Sequence, residues 1–243
     1  MLDIIGTISG MTAIAISLVA MASILPLSFR QKLALGGAAG VWIGLASGLA
    51  AAGDLTFSSQ RPVPLIGVFF MLPLLAAFLA WRFFPKVRAA LLAIPTQLLI
   101  GLNTARVLGA LFLFLAAAGR LSGPFPYFAG LGDVITGAEA LPLALLVARN
   151  GLRHNRLIAA WNAFGALDLF VAVGLGLTSA QGSPLQLIHT GVGSMAMQYL
   201  PFALVPTVLV PFFLITHGIV AAQLLARRTI DRRANLQMAG ALR

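Results

Sequence analysis

The stretch LIAAWNAFGALDLFVAVGLGLT, residues 157–178, determines the fold class of this chain. A helix needs roughly 20 mainly apolar residues to cross about 30 Å of hydrocarbon, and this stretch is long enough. A helix is required because an open sheet would leave its edge N–H and C=O groups without partners in lipid. We therefore predict a transmembrane helix here, and one ionisable residue, Asp168, lies near its middle.

Six further segments share this length and apolar character. They cover residues 4–27, 34–53, 63–84, 89–118, 125–148 and 200–226. None shows the strict alternation of apolar and polar residues that is typical of a membrane β-barrel strand. The sequence therefore predicts an all-α, polytopic transmembrane bundle of seven helices. It forms a single domain over residues 1–243, of which residues 227–243 are a short basic tail.

The composition excludes other classes of protein. The chain is 60% hydrophobic and 9% charged, and its mean hydropathy is +0.98. Soluble domains average about 25% charged residues, so a soluble globular domain and a disordered chain are both excluded. A disulfide framework is excluded because the chain contains no cysteine.

The basic residues predict the orientation of the bundle in the membrane. Thirteen of the 16 fall in loops on one side, counting the tail: Arg30, Lys32, Arg82, Lys86, Arg88, Arg149, Arg153, Arg156, Arg227, Arg228, Arg232, Arg233 and Arg243. The opposite loops contain only Arg61 and Arg120. Basic loops stay in the cytoplasm, so we expect the N-terminus outside and the C-terminus in the cytoplasm.

The net charge of +10 is therefore a topology signal and gives no indication of nucleic-acid binding. The expected partner is the lipid bilayer, with anionic lipid headgroups against the basic cytoplasmic face.

Four ionisable residues lie inside predicted helices. They are three of the six acids, Asp133, Glu139 and Asp168, and one base, Arg106. Each costs about 2.5–3.5 kcal/mol at the centre of a span, so we expect them to face the interior of the bundle. Counting residues from the helix ends places Arg106, Asp133 and Asp168 at a similar depth. Glu139 lies deeper and is rotated by roughly 120° from Asp133 around the same helix.

Polar neighbours extend this predicted cluster. Asn103 lies one turn from Arg106, Trp161 and Asn162 precede Asp168 in its helix, and His217 lies in the last helix. Because one cation cannot neutralise three carboxylates, either water solvates them or at least one is protonated. Two interpretations stay open at this point: an ion pair that only holds helices together, and a functional proton or ion site. For His217 the alternatives are a core histidine, a proton relay and a haem ligand.

The second helix carries a glycine stripe, Gly36, Gly40, Gly44 and Gly48, at a strict spacing of four residues. Such a stripe allows the backbone of another helix to approach closely. The partner is either another helix of this chain or a second protomer or membrane protein. The stripe predicts helix packing and no chemistry.

Metal and cofactor signals are weak, and we predict neither group. The outer loop, residues 179–199, contains His189, Met195 and Met197, a residue combination that can bind copper(I). The alternative is that these side chains form the apolar face of a short interfacial helix, and we prefer it.

Three motifs resemble a group of uncharacterised bacterial multi-pass membrane proteins of unknown activity. They are Arg106-x-x-Gly109-x-x-Phe112, Gly130-x-Gly132-Asp133-x-x-x-Gly137 and Trp161-Asn162-x-x-Gly165-x-x-Asp168. The resemblance covers the fourth to sixth helices and implies no activity. It implies a location in a bacterial cytoplasmic (inner) membrane.

The function that fits best is small-solute or proton-linked transport or ligand binding. Arg106 would be an anion-binding or counter-ion residue, and the three carboxyl groups would accept protons or cations. Two alternatives stay open: a membrane-embedded enzyme that acts on a lipid or isoprenoid by general-acid chemistry, and a non-catalytic subunit or assembly factor. Catalysis is the less favoured interpretation. A carrier predicts a polar crevice at Arg106, an enzyme a lateral opening beside the carboxyl groups, and a subunit a closed polar core.

Overall fold

A computed structural model describes residues 1–25, 27–57 and 64–241 of the chain. These residues form nine α-helices and no strand, as the sequence predicts for an all-α protein. The helices are α1 (Leu2–Ile24), α2 (Phe29–Ala51), α3 (Leu65–Phe83), α4 (Pro85–Leu92), α5 (Thr96–Leu102), α6 (Ala110–Ala117), α7 (Phe125–Asn150), α8 (Asn155–Ser179) and α9 (Val210–Ala241). Arg61 and Arg243, which contribute to the orientation argument, lie outside the described residues.

Several segments are long and apolar enough to cross a membrane. The described residues contain six: Leu2–Ile24, Phe29–Ala51, Leu65–Phe83, Thr96–Ala117, Phe125–Ser179 and Val205–Thr229. The fifth has 55 residues and comprises two helices, α7 and α8, of 26 and 25 residues. A 3₁₀ turn at Gly151–His154 separates them, and Gly151 adopts a φ of +58°, which glycine tolerates without strain. Each of the two helices exceeds the roughly 20 residues that one crossing requires.

The fourth predicted span is interrupted twice, in contrast to the continuous helix expected over residues 89–118. Pro95 separates α4 from α5, because proline has no N–H and disfavours helical backbone in the residue before it. The side chain of Gln223, from α9, donates to the carbonyls of Leu92 at 3.2 Å and Ile94 at 2.7 Å. The second interruption is a 3₁₀ segment, Asn103–Gly109, between α5 and α6.

A π-helical turn, Val205–Leu209, precedes α9. Pro211 has no N–H, so the carbonyl of Thr207, four residues earlier, lacks its α-helical donor. The indole Nε1–H of Trp42, from α2, donates to this carbonyl at 3.0 Å. The proline thus creates an acceptor that joins α2 to the start of α9.

The bundle is centred on α7 and α9. Helix α7 packs against the 3₁₀ segment, α5, α6 and α8, and α8 also packs against α9. In the most apolar window of the Val205–Thr229 segment 56% of the residues are buried, compared with 11% in the segments of α2 and α3. Polar side chains on α7, α8, α9 and the 3₁₀ segment therefore face one another.

Candidate functional site

Arg106 lies in the middle of the 3₁₀ segment, and its side chain is completely buried. Its Nε–H donates to Oδ1 of Asp133, from α7, at 2.6 Å. Its Nη2–H donates to Oδ2 of Asp168, from α8, at 2.5 Å. The structure thus brings together the three ionisable residues that residue counting places at one depth, and we call them the ion triad.

Two further partners fix the guanidinium. Its Nη1 donates to the carbonyl of Gly165 at 3.0 Å and lies 3.1 Å from Nε2 of His217. Because a guanidinium only donates, Nε2 of His217 must be the acceptor. The proton of His217 then lies on Nδ1, which donates to Oδ1 of Asn162 at 2.9 Å. The geometry therefore requires a neutral His217 in one defined tautomer.

Four glycines provide the space that the ion triad occupies. A Cβ added at Gly109 would overlap the side chain of Asp133, and one at Gly132 would overlap Oδ1 of Asp168. The same addition at Gly165 would lie 2.6 Å from Cε1 of His217, and at Gly137 it would lie 2.6 Å from the backbone nitrogen of Val107. Any larger residue would therefore displace a member of the site or the 3₁₀ segment that carries Arg106.

Several buried polar atoms near the ion triad have no hydrogen-bond partner among the described residues. They include Asn103 Oδ1, Thr104 Oγ1 and Thr136 Oγ1. The Nδ2 group of Asn103 donates to the carbonyl of Leu99 and to Thr216 Oγ1, so only the amide oxygen is unpaired. Each such atom costs about 1–3 kcal/mol. These atoms are therefore available to pair with a water molecule or a ligand.

A cavity of about 250 Å³ lies beside Asp133. Its mainly apolar walls are formed by α1, the 3₁₀ segment, α6, α7 and the stretch 200–213, with Ser47 from α2 and Leu169 from α8. We call it the α1 cavity. The side chain of Asp133 is 15% exposed, whereas that of Arg106 is 0% exposed. No described donor contacts Oδ2 of Asp133. Asp133 and Arg106 both line the α1 cavity, and of these two side chains only the carboxylate has exposed surface.

A second opening lies on the outer surface between α7 and α8. Exposed apolar side chains line this lateral groove: Tyr127, Phe128, Leu131, Ile135, Phe164, Leu167 and Val171. Gly132 and Asp168 also line it, and the Asp168 side chain is 7% exposed. The two carboxylates thus face different spaces, and Arg106 lies between them.

The structure separates other predicted candidates from the ion triad. Glu139 is exposed on the outside of α7 and makes no hydrogen bond or ion pair with a described residue. Trp161, by contrast, is buried beside His217, with ring centroids 5.2 Å apart, and its Nε1–H donates to the carbonyl of Thr136 at 3.1 Å. In the 179–199 loop, His189 is exposed and Met197 packs in the core beside Phe202. The interfacial helix expected there is only a 3₁₀ turn, Met195–Gln198, within the described residues.

The glycine stripe of α2 is exposed along its length, and an added Cβ at any of its four positions meets no atom within 4 Å. No other described helix packs against it, so the alternative of a partner within this chain finds no support.

A family model described as a domain of unknown function (DUF8737) matches residues 63–225. The chain belongs to the DUF8737 family. The matched region of this DUF8737 protein contains the ion triad, His217 and the four glycines around them, whereas α1 and α2 precede it. No curated protein and no solved structure matches the chain.

Sequence reasoning about this DUF8737 protein missed the role of the glycines. Gly109, Gly132, Gly137 and Gly165 occur in the three motifs quoted above, but the motifs alone assigned them no contact. A usable signal was present, because each ionisable residue of the ion triad has a glycine within three positions. A small residue beside a buried charge indicates that another helix approaches at that point.

Proposed function

We propose that this DUF8737 protein crosses a bacterial inner membrane seven times, with its N-terminus outside and its C-terminus in the cytoplasm. The lengths of α7 and α8 support two crossings within the 55-residue segment. The distribution of basic residues supports the orientation.

We propose further that the protein functions in proton-linked or small-solute transport or ligand binding. In this function Asp133 and Asp168 accept a proton or cation, and Arg106 is their counter-ion. One observation carries this proposal: a single buried cation lies between two carboxylates, each of which uses one oxygen for Arg106. With both carboxylates ionised and His217 neutral, the cluster has one negative charge in excess. Burying an excess charge is costly, so binding one proton or one cation stabilises the cluster.

The same geometry argues against Arg106 as an anion-binding residue. Its side chain is fully enclosed, and its N–H groups already contact Asp133, Asp168, Gly165 and His217. These contacts use four of the five N–H groups, and no surface of the side chain is exposed to an incoming anion. The counter-ion role needs no rearrangement.

Infrared spectroscopy of the purified protein tests whether the ion triad binds a proton. We expect a carboxylic-acid C=O band that disappears reversibly as the pH is raised and that is absent in Asp133→Asn and in Asp168→Asn. Either substitution leaves one carboxylate paired with one guanidinium, so the cluster is neutral without binding a proton. Glu139→Gln is the matched control and keeps the band. A wild-type spectrum without this band would show that the ion triad only holds helices together.

The lateral groove supports a second candidate function, a membrane-embedded enzyme that acts on a lipid or isoprenoid. The groove is apolar, opens on the outside of α7 and α8, and contains one carboxyl group, that of Asp168. Its Oδ1 is not bonded to Arg106 and is the oxygen on which a catalytic proton would reside. Mass spectrometry of reconstituted vesicles tests this function: a product present with wild type and absent with Asp168→Asn supports it. Identical lipid profiles for wild type and protein-free vesicles would exclude it for the lipids supplied.

A further inference from the structure

The size of the α1 cavity limits the ligand that fits it. An apolar cavity of about 150 Å³ accommodates one benzene molecule. The α1 cavity, at about 250 Å³, has room for a body of that size and a short polar arm. A whole phospholipid or sugar chain would not fit inside it.

The walls of the α1 cavity favour an apolar body. Three phenyl rings line it, those of Phe112, Phe202 and Phe213. The remaining surface is mainly aliphatic and includes the hydroxyl residues Thr7, Ser9 and Ser47. Aromatic faces attract organic cations as well as apolar groups. The Phe213 ring already lies 6.0 Å from Cζ of Arg106, so it is oriented toward a positive charge in this structure.

The charge at the inner end of the cavity favours a cation. Asp133 and Arg106 are the ionisable residues in its lining, and only the carboxylate is partly exposed. Oδ1 of Asp133 is bonded to Arg106, which leaves Oδ2 as the available acceptor. A ligand that donates to Oδ2 and carries one positive charge would also balance the excess negative charge of the ion triad.

We infer that the α1 cavity binds a small amphipathic organic cation, a protonated amine on a body the size of one aromatic ring. Its nitrogen contacts Oδ2 of Asp133, and its body packs against the phenyl rings. This inference rests on the proposed function, because it gives the class of the ligand that the carboxylate accepts in place of a proton.

Three probes of one shape test the charge preference: 2-phenylethylammonium, 2-phenylethanol and phenylacetate. Each is titrated by calorimetry into the purified full-length protein. We expect the ammonium ion to bind, and the neutral and anionic probes to bind at least tenfold more weakly. Asp133→Asn is expected to lower the affinity for the ammonium ion at least tenfold.

A cavity-filling variant keeps the test decisive if Asp133→Asn fails to fold. Gly10 lines the α1 cavity, and an added Cβ there meets no atom within 4 Å. Gly10→Leu should therefore fold and occupy the ligand space, which abolishes binding. Gly40→Leu is the matched control, since Gly40 is exposed on α2, does not line the cavity, and has equally open surroundings. It should bind as wild type does.

Three results would overturn the inference: phenylacetate binding as tightly as the ammonium ion, equal affinity in Gly10→Leu and wild type, or no binding of any probe. In the last case the infrared band separates the two proposals. A titrating band without amine binding contradicts only the ligand class. Absence of both contradicts the proposed function as well.

Discussion

At the scale of single residues, the site depends on the shape of the arginine side chain. A guanidinium has five N–H donors in a planar fork, whereas a lysine ammonium is a compact point charge. Arg106 uses this fork to contact Asp133, Asp168, Gly165 and His217 together. These partners come from three different helices, so one side chain fixes the relative positions of α7, α8 and α9.

Charge-removing variants should therefore differ strongly in stability. Arg106→Gln leaves two buried carboxylates without a counter-ion, and breaking a buried ion pair costs about 3–5 kcal/mol. Asp133→Asn leaves Asp168 and Arg106 balanced, so its cost should be smaller. The triple variant Arg106→Gln, Asp133→Asn, Asp168→Asn should recover part of the stability that Arg106→Gln loses, because it leaves no buried carboxylate without a counter-ion. Thermal unfolding in detergent measures the unfolding midpoint of each variant. Equal midpoints for Arg106→Gln and Asp133→Asn would contradict the expectation that removing the cation costs more than removing one of the two carboxylates.

Residue counting predicts part of this site and misses part of it, for a geometrical reason. The rise per residue of a helix is nearly constant, so the common depth of Arg106, Asp133 and Asp168 follows from the sequence. Which way a residue faces is less predictable, because a non-α turn shifts every later residue around the axis. The π-helical turn at Val205–Leu209 precedes His217, and its contact with Arg106 could not be predicted from spacing.

At the scale of elements, two groups of glycines differ in their surroundings. Those beside the ion triad are enclosed by side chains of neighbouring helices, whereas the α2 stripe faces outward. The sequence indicates close packing at the α2 stripe because of its regular spacing. Spacing gives the face that glycines share, but the presence of a partner depends on tertiary structure.

Alanine substitutions should separate the two classes. At Gly132 and Gly165 the added methyl group collides with Asp168 and His217, and overpacking of this kind costs about 1–3 kcal/mol. At Gly40 and Gly44 the methyl group meets open space, and unfolding temperature should stay the same or rise slightly. Thermal unfolding of the four variants checks this. A loss of stability at Gly40 equal to that at Gly132 would contradict it, and a change in oligomer size at Gly40 would indicate a second protomer on the stripe.

At the scale of the whole molecule, the protein places the ion triad, with two carboxyl groups and one guanidinium, between two separate openings. Asp133 faces the α1 cavity, Asp168 faces the lateral groove, and α7 lies between these spaces. The apolar segments could be predicted from the sequence, because hydrocarbon thickness determines their length. The two openings could not be predicted from the sequence, because they arise from how several helices pack and not from any one helix.

The most direct test of the central claim is charge displacement after a pH step, measured on vesicles adsorbed to a solid-supported membrane. We expect a transient current with wild type and with Glu139→Gln. We expect none with Asp133→Asn or Asp168→Asn, since either amide removes the excess charge that a proton balances. A wild-type current no larger than that of protein-free vesicles, or an unchanged current in both amide variants, would contradict the claim that the ion triad binds a proton.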